Sequence, residues 1–429
     1  MNPKKKVLII TYYWPPSGGA GVQRWVKFSK YLPEFDIEPI VLTVKDGTYP
    51  LLDKSLFNDI SQDLKVFKAI AIEPYNIFAS ITGKSSAQVS TPSTAFTPDG
   101  SFLKKLGIWV RSNLFIPDAR IGWVPFAYRK AKRIIKELNI DTIITTGPPN
   151  STHLIGSKLK SNNSNLRWIM DMRDPWSKIF FNETLPRTKF AKNRDIYLEK
   201  KALRLANQVI LASESMLPVQ KGIYDREYLI INNGFDHSEF TAIEGSESNT
   251  LFVIKYIGSM TESAIPYNFF KALQTLDNKS KERIRIEFFG SINDKVIDMI
   301  KSHDLNDIVS FNGYLPHLEA KKEMQTADLL LLVIPNTINN ELIITGKIFD
   351  YIGAQKPILC IGPKNGDAAR LIEKYNIGLN FDYDEIEPIK AEIKNLLESD
   401  NVAYTYWSGD LKTHPFSRYS LTSKLSDCL

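Results

Sequence analysis

Cysteine, histidine and long apolar runs are all scarce in this sequence. Only two of its 429 residues are cysteine, Cys360 and Cys428, which excludes a disulfide framework and leaves no cysteine pair with the spacing of a metal site. A reducing cytoplasm is therefore the simplest compartment. The longest later apolar run, residues 329–334, is far below the ~20 residues that cross a bilayer. The apolar run that follows the first lysines ends in Pro-Pro-Ser-Gly-Gly rather than in a cleavage site, so we expect no signal peptide.

What the sequence does have is the composition of a globular protein. Its apolar fraction is 43% and its charged fraction is 24%. The length allows two or three domains. The formal net charge of +6 is mild, so the positions of the charges matter more than their sum.

Short apolar runs alternate with helical patterns along most of the chain. Runs of this kind predict parallel strands that are buried on both faces, in a doubly wound α/β arrangement. The pattern stops and restarts near residues 232–236, which predicts two such domains. The predicted strands of the first domain are residues 7–12, 40–44, 66–72, 142–145, 168–170, 209–211 and 228–231. Those of the second domain are residues 252–257, 284–289, 308–311, 329–333, 358–361 and 377–381.

Two segments fall outside this alternation. Residues 85–97 are polar and have no periodicity, which is typical either of a mobile loop or of a linker. The tail from residue 404 carries Trp407, Phe416 and Tyr419. Its aromatic content indicates a packed terminal helix.

The stretch of residues 345–359 is the strongest candidate for a binding site. It has the pattern of a loop, a helix start, a turn and a buried strand. Gly346 allows a ligand to approach the backbone, and the free N–H groups of the next turn, with Lys347, suit a diphosphate. Asp350 lies one turn further on and could accept hydrogen bonds from a ribose. The alternative is an ordinary amphipathic helix whose lysine and aspartate are solvated, and the pattern alone leaves both interpretations open.

A glycine-rich loop follows the first predicted strand. Gly18, Gly19 and Gly21 lie between that strand and a helical pattern, as in the opening of a Rossmann-like unit. The spacing is not GxGxxG, so the dinucleotide fingerprint is absent. We interpret the loop as one that faces a ligand, and a plain strand-to-helix turn is the alternative.

Two more candidates follow predicted strands, where open α/β sheets place their ligands. His153 begins a helix after residues 142–145, and it either hydrogen-bonds a ligand or is a structural histidine. Arg173 follows residues 168–170. It either meets a phosphate or another ligand group, or it forms a salt bridge with the neighbouring Asp171 and Asp174.

Taken in order, these motifs resemble those of GT-B glycosyltransferases, and most closely the family 4 group of retaining enzymes that build bacterial surface polysaccharides. The resemblance covers nearly the whole chain. It rests on Pro15-Pro-Ser-Gly-Gly-Ala-Gly-Val-Gln-Arg24, Ile116-Pro-Asp-Ala-Arg-Ile-Gly-Trp123, Thr146-Gly-Pro-Pro149 with Ser151 and His153, Asp171-Met-Arg-Asp-Pro-Trp176, Asn232-Asn-Gly-Phe-Asp236, Tyr256-Ile-Gly-Ser259, and the stretch around Lys347 and Asp350.

The resemblance implies two Rossmann-like domains that face a cleft. Residues 1–235 would be the acceptor domain, residues 236–400 the nucleotide-sugar donor domain, and residues 401–429 a tail that packs back toward the first domain. The implied activity is transfer of a sugar, with retention, from a nucleotide-diphosphate sugar to a saccharide or lipid-linked acceptor. The residues implied to hold the donor are Gly18, Gly19, Asn233, Gly258, Ser259, Gly346, Lys347 and Asp350, and those implied to orient the reactants are His153 and Glu341.

The sequence departs from that family at two places. The family commonly has two glutamates eight residues apart, whereas here Asp350 holds the second place and Leu342 the first, with Glu341 one residue out of register. Ser259 stands where many relatives carry an arginine for the diphosphate. No histidine or cysteine cluster has the spacing of metal ligands, so we expect a metal-independent reaction without a cofactor.

Residues 103–138 form a basic segment with nine cationic and two acidic residues. No motif of a nucleic-acid-binding fold accompanies it, so nucleic acid is not an expected partner. An anionic membrane surface or a lipid-diphosphate acceptor suits the segment better, and a solvated helix face is the alternative. We therefore expect a cytoplasmic protein that works at the inner face of the membrane.

Two other functions fit the same fold. One is a nucleotide-sugar epimerase, although the acidic and histidine groups for elimination chemistry have no evident positions here. The other is a non-catalytic nucleotide-sugar-binding scaffold, which the missing arginine and the displaced glutamate would permit.

Overall fold

The structure is a computed structural model that describes residues 4–49, 51–72, 102–179, 182, 185–240, 251–398, 404 and 407–429, with only the helical backbone for residues 102–104. The polar stretch at residues 85–97 lies outside the described residues. The chain forms two compact units. The first contains Met1–Asn232 and Leu421–Leu429, and the second contains Asn233–Ser420.

The first unit is built on a seven-stranded parallel sheet. Its strand order is β3-β2-β1-β4-β5-β6-β7. The strands are β1 (Lys5–Ile10), β2 (Ile37–Val44), β3 (Lys65–Ala69), β4 (Thr142–Gly147), β5 (Arg167–Met172), β6 (Gln208–Leu211) and β7 (Leu229–Ile230). The helices described up to β7 are α1 (Ala20–Tyr31), α2 (Phe102–Leu114), α3 (Val124–Leu138), α4 (Ser151–Asn162), α5 (Lys189–Leu205) and α6 (Met216–Ile223).

Strand β1 shows why this sheet is buried on both faces. Successive side chains of a strand point to opposite faces. Leu8 and Ile10 join one apolar cluster of the first unit, whereas Val7 and Ile9 join another. The second cluster also takes in Leu421 and Leu425 from the end of the chain. Both faces of the strand are therefore covered, as the continuous apolar run predicts.

The second unit contains a six-stranded parallel sheet with the order β10-β9-β8-β11-β12-β13. Its strands are β8 (Phe252–Ile257), β9 (Ile284–Phe289), β10 (Val309–Phe311), β11 (Leu329–Val333), β12 (Ile358–Ile361) and β13 (Gly378–Phe381). The helices from β8 to the end of the chain are α7 (Tyr267–Gln274), α8 (Asn278–Glu282), α9 (Asp294–Ser302), α10 (His317–Gln325), α11 (Gly346–Gly353), α12 (Asp367–Tyr375), α13 (Glu387–Glu398) and α14 (Arg418–Ser426).

The predicted strands all appear in the two sheets, and the doubly wound α/β architecture is confirmed. Four strands of the second unit, β8, β9, β11 and β12, have the predicted bounds at both ends. The largest differences are of three residues: β3 ends at Ala69, three residues before the predicted end, and β2 begins at Ile37, three residues before the predicted start. Pro39 falls in this early part, which pairs with β1 alone, because pairing with β3 begins only at Ile40. A proline is tolerated where one side of a strand has no partner.

Within the described residues, no helix is long and apolar enough to cross a membrane.

Candidate functional site

Each sheet has a point where the strand order reverses, and ligands of open α/β sheets bind beyond the carboxyl ends of the strands at such a point. In the second unit β8 pairs with β9 on one side and with β11 on the other. In the first unit β1 pairs with β2 and with β4. Gly258 and Ser259 directly follow β8, and Gly18, Gly19 and Gly21 lie between β1 and α1, so these candidates lie near the two points.

Two glycines keep the backbone open at the end of β8. Gly258 follows the strand directly and has φ +123°, a conformation that side chains rarely adopt. Gly290 follows β9 with φ +119°, and a Cβ added there would come within 2.6 Å of the Gly258 carbonyl oxygen. Both positions therefore require glycine.

Lys347 occupies the space beside Gly258. It lies in the first turn of α11, and its Nζ donates a hydrogen bond of 2.6 Å to the Tyr256 hydroxyl. A Cβ on Gly258 would lie 2.8 Å from that Nζ. Burial lowers the pKa of Lys347 to about 8. No ion pair in the described part of the chain includes this lysine. A desolvated ammonium without a carboxylate partner is costly to keep charged, and an anionic ligand would offset that cost.

Tyr256 sets the direction of this contact. Its hydroxyl donates to the Ser259 carbonyl oxygen at 2.8 Å, so it accepts the hydrogen bond from Lys347. The ring also faces the ammonium, with Nζ 4.0 Å from the ring centre. Tyr256 belongs to the motif Tyr256-Ile-Gly-Ser259, but the sequence predicted no role for it. The Ser259 side chain is exposed, and its described contribution here is the carbonyl group.

Asp350 lies on the next turn of α11 and is not a freely solvated carboxylate. Its Oδ1 pairs with Nζ of Lys321, which is buried on α10. Lys321 is also 3.8 Å from Glu239, and Glu239 in turn lies 3.1 Å from His317 Nε2. Asp350 is therefore ion-paired through one oxygen, while 26% of its side chain stays exposed. Oδ2 of Asp350 has no hydrogen-bond partner among the described residues.

The remaining candidates of the second unit are more distant from this lysine. Gly346 is the first residue of α11, directly before Lys347. Glu341 is exposed and lies in the short turn Asn340–Leu342, with its backbone beside Gly366. Asn233 is half-buried at the beginning of the unit. The structure thus groups Gly258, Ser259, Gly346 and Lys347, with Asp350 one turn away, and their proposed contacts to a donor remain predictions.

In the first unit the glycine loop and Arg173 fit together. Arg173 donates through Nε to the Gly147 carbonyl oxygen at 3.1 Å, and its Nη2 donates to the Pro148 carbonyl oxygen. A Cβ on Gly21 would lie 1.3 Å from Arg173 Nη1, so this arrangement requires glycine there. A Cβ on Gly18 would lie 2.9 Å from the Cβ of Asp53. Gly19 has φ +102°, and nothing lies within 4 Å of its Cβ position.

The predicted alternative for Arg173, a salt bridge to its neighbours, is wrong. Asp171 instead pairs with Arg24 on α1, at 2.9 Å and with both side chains fully buried. Asp171 also accepts hydrogen bonds from Thr146 and from the indole of Trp25, each at 2.8 Å. The Arg24 guanidinium, together with these hydrogen bonds, holds the pKa of Asp171 below its usual value despite burial. Asp171 is thereby a structural residue, and Arg173 retains its guanidinium at the ends of β4 and β5.

His153 is fully buried in the first turn of α4. Its Nδ1 is 2.8 Å from the Thr145 hydroxyl, which also accepts the Trp168 indole N–H at 2.9 Å. Its Nε2 has no hydrogen-bond partner in the structure. A Cβ on Gly147 would lie 2.5 Å from that nitrogen. Burial lowers the pKa of His153 to about 3, so the imidazole is neutral at physiological pH and has one unused polar atom at the end of β4.

The described residues contain no group of three or more histidine, cysteine, aspartate and glutamate side chains that could hold a metal ion. The sequence does have one Asp-x-Asp, at Asp382-Tyr-Asp384 after β13. Asp382 Oδ1 there accepts the backbone N–H of Tyr383 at 2.8 Å. The metal-independent reaction remains a prediction.

No protein-family model and no curated protein matches the sequence. Solved structures do match over the whole chain. HepE of Anabaena in complex with UDP shares 14% identity with a TM-score of 0.65, and the match covers 99% of each chain. Sucrose-phosphate synthase of Thermosynechococcus elongatus shares 12% identity with a TM-score of 0.62, covering 99% of this chain and 98% of the other. A TarM variant of S. aureus with fondaparinux, alpha-GlcNAc-glycerol and UDP shares 13% identity with a TM-score of 0.57, covering 99% of each chain.

The chain has the GT-B fold. The fold-level part of the sequence resemblance is confirmed by these matches. At such identities the similarity extends to the fold alone, so membership of family 4 remains a hypothesis.

Proposed function

We propose that this protein is a glycosyltransferase that moves a sugar from a nucleotide-diphosphate sugar to a saccharide or lipid-linked acceptor. The observation that carries the proposal is Lys347. It is a largely buried cation with no carboxylate partner among the described residues, at the carboxyl end of β8, where the strand order of the second sheet reverses. Structures of similar fold contain UDP, which supports a nucleoside diphosphate as the anion.

The residues around Lys347 have complementary roles in this proposal. Gly258 leaves room for the Lys347 ammonium beside the backbone, and the N-terminal turn of α11, starting at Gly346, offers free N–H groups to the diphosphate. Asp350 accepts the ribose hydroxyls through its second oxygen. Lys321 pairs with that carboxylate and fixes it in place.

The chemistry follows from the charge that develops on the leaving group. The bond between the sugar C1 and the diphosphate oxygen breaks, and a bond from the acceptor oxygen to C1 forms. The acceptor proton passes to the departing phosphate, in a reaction that retains the configuration. Lys347 stabilises the diphosphate more in the transition state than in the ground state, which accelerates the reaction. No metal is needed in this scheme because the lysine and the helix N-terminus supply the positive charge.

The first unit supplies the acceptor side. Its loop after β1, with Gly18 and Gly19, would also help to hold the donor, and Arg173 offers its guanidinium to an acceptor or phosphate. With a pKa of about 3, His153 is too weak a base to take the acceptor proton. We assign it, with Glu341, to orienting the reactants. We further propose that the protein acts in surface-polysaccharide synthesis in the cytoplasm, at the inner face of the membrane.

An activity assay separates this function from its two rivals. Purified protein is incubated with UDP- and GDP-sugars, and products are identified by mass spectrometry and NMR. A transferase releases free sugar slowly and accelerates when a suitable acceptor is added. An epimerase would yield an isomerised nucleotide sugar, and a scaffold would bind without turnover. The Lys347→Met variant is the matched control, because it should lose turnover of every donor.

A further inference from the structure

The outer face of α5 carries an unusual concentration of positive charge. Its six cations are Lys189, Lys192, Arg194, Lys200, Lys201 and Arg204. Its two acids, Asp195 and Glu199, both have buried side chains. Asp195 is held there by Arg187 at 2.7 Å and by the Trp176 indole, also at 2.7 Å. The solvent-facing side of this helix therefore contains cations and no carboxylate.

Large aromatic side chains lie among these cations. Phe190 is 76% exposed and Tyr197 is 57% exposed. The Arg194 guanidinium lies 5.5 Å from the centre of the Tyr197 ring. The residues Phe190, Arg194, Tyr197 and Lys201 are separated by three or four positions, so they form one stripe along the helix.

Helix α2 extends the same surface. The Asn113 side chain bonds to the Pro186 carbonyl oxygen at 2.9 Å and accepts the Thr188 N–H at 2.7 Å, which joins the end of α2 to the beginning of α5. Helix α2 has no acidic residue. Its exposed apolar side chains are Leu106, Trp109 and Leu114, with 46%, 43% and 68% exposure. We call α2 and the outer face of α5 together the α2–α5 surface.

Neither the cations nor the exposed aromatic side chains of the α2–α5 surface stabilise the isolated unit. Cations in the first turn of a helix oppose its dipole, yet α5 begins with Lys189 and Lys192 and has no acid there. Exposed aromatic side chains gain nothing in water. Tryptophan and tyrosine favour the membrane–water interface, and lysine and arginine are attracted to anionic lipid headgroups. An anionic membrane surface would therefore interact favourably with both kinds of side chain.

We propose that the α2–α5 surface binds the headgroup region of an anionic phospholipid membrane, with Trp109 and Phe190 inserted among the lipids. This surface is only partly the one that the sequence indicates. Of the basic segment at residues 103–138, α2 belongs to it, whereas α3 contacts β1, β2, β3 and α4 instead. The cations of α3 are also partly engaged, with Arg133 at 2.6 Å from Glu137 and Lys130 over the Phe67 ring. The proposal does not depend on sugar transfer.

The test is co-sedimentation of the full chain with vesicles of phosphatidylcholine alone or mixed with phosphatidylglycerol, at low and high salt. We expect binding to the mixed vesicles at low salt and weaker binding at high salt. The triple variant Lys189→Gln, Lys192→Gln, Arg194→Gln should bind on the order of a hundredfold more weakly. Its fold is safe because removing cations from a helix N-terminus relieves an unfavourable interaction.

A second variant tests the aromatic contribution. Trp109→Ser with Phe190→Ser should weaken binding by roughly tenfold per side chain while keeping the salt dependence. The matched control is Arg129→Gln, Lys132→Gln, Lys136→Gln on α3, which removes the same charge from exposed positions. It should bind like the wild type.

Three results would overturn the proposal. One is absence of wild-type binding to the mixed vesicles at low salt. Another is equal loss of binding in the α3 and α5 triple variants, which would indicate general charge attraction. The third is tight binding of single-stranded DNA that depends on the α5 cations without any vesicle binding, which would make the partner a nucleic acid.

Discussion

The Nζ atom of Lys347 lies 2.6 Å from the Tyr256 hydroxyl and 4.0 Å from the centre of its ring. The hydroxyl has its single proton committed to the Ser259 carbonyl oxygen, so it can only accept from the lysine. Tyr256 thus fixes the position of the ammonium without neutralising its charge. A cation held in this way is positioned to bind an anionic ligand.

The first prediction concerns the pH dependence of diphosphate binding. Burial lowers the pKa of Lys347 to about 8, so the lysine is charged below that pH and loses its proton above it. The affinity for UDP should therefore be constant from pH 7 to about 8 and fall by up to about tenfold per pH unit above it. This window lies above the phosphate pKa of about 6, so ionisation of the ligand does not interfere. Calorimetry over the range gives the profile.

The control for this prediction is Lys347→Arg, because arginine stays charged throughout the range. An unchanged fall in affinity above pH 8 in that variant would assign the titration to another group.

The second prediction separates function from stability at the same residue. The pKa of Lys347 is lower in the folded chain than its unfolded value of 10.5, so folding releases a proton between pH 8 and pH 10.5. This group's contribution to stability therefore rises with pH across that window and is unfavourable below it. Lys347→Met should raise the free energy of unfolding at pH 7 by about 1–3 kcal/mol while abolishing UDP binding. Urea denaturation measures the stability, and a destabilised variant would make Lys347 a structural residue.

The third prediction concerns Asp350 and its partner Lys321. Asp350→Ala removes the carboxylate that pairs with Lys321. The structure predicts a loss of about 1–3 kcal/mol in stability, because Lys321 is left buried with Glu239, at 3.8 Å, as its one carboxylate neighbour among the described residues. UDP affinity should fall by roughly 1.5–3 kcal/mol. In the wild type, 2′,3′-dideoxy-UDP should bind more weakly than UDP, and Asp350→Ala should remove that difference. Equal discrimination in both proteins would exclude Asp350 from ribose binding.

The fourth prediction uses two glycines. Gly21→Ala should displace the Arg173 guanidinium, because the new Cβ would lie 1.3 Å from Nη1. Two hydrogen bonds of Arg173 would be lost, at a cost of about 1–3 kcal/mol in stability together with most of the transfer activity. Gly222→Ala in α6 is the matched control, since nothing lies within 4 Å of its Cβ position. It should raise stability by about 0.5–1 kcal/mol and leave activity intact. A Gly21→Ala enzyme with wild-type turnover would show that Arg173 has no part in the reaction.

The fifth prediction concerns His153. Its pKa is about 3 in the folded chain and 6.5 when unfolded, so the unfolded chain binds the extra proton between these values. Stability should therefore fall as pH decreases below 6.5, by up to about 1.4 kcal/mol per pH unit. His153→Asn keeps an oxygen acceptor for Thr145 and should show a smaller slope of unfolding free energy against pH. If both proteins have the same slope between pH 4.5 and pH 6.5, His153 is not buried as a neutral group.

The strands were predictable because burial on both faces leaves a continuous apolar run, as in β8 and β11. Lys347 could also be picked out as a candidate from the sequence, since a lysine after a glycine at a helix start is a local pattern, and its role remains a prediction. Its contact with Tyr256 was not readable, because the two residues are far apart in sequence and meet only when the sheet forms. The same reason hides the pair between Asp350 and Lys321. The positive outer face of α5 could not be predicted for a different reason. The sequence of this helix contains two acidic residues, and only the fold shows that both side chains are buried.

The most direct test of the central claim is calorimetric titration of UDP, GDP and uridine into the wild type and into Lys347→Met at pH 7. A nucleoside diphosphate should bind the wild type at least a hundredfold more tightly than uridine, which lacks the phosphates that contact the charged lysine. Lys347→Met, although folded, should bind that diphosphate no better than uridine. Undiminished diphosphate binding by Lys347→Met, or no diphosphate binding by the wild type, would contradict the central claim.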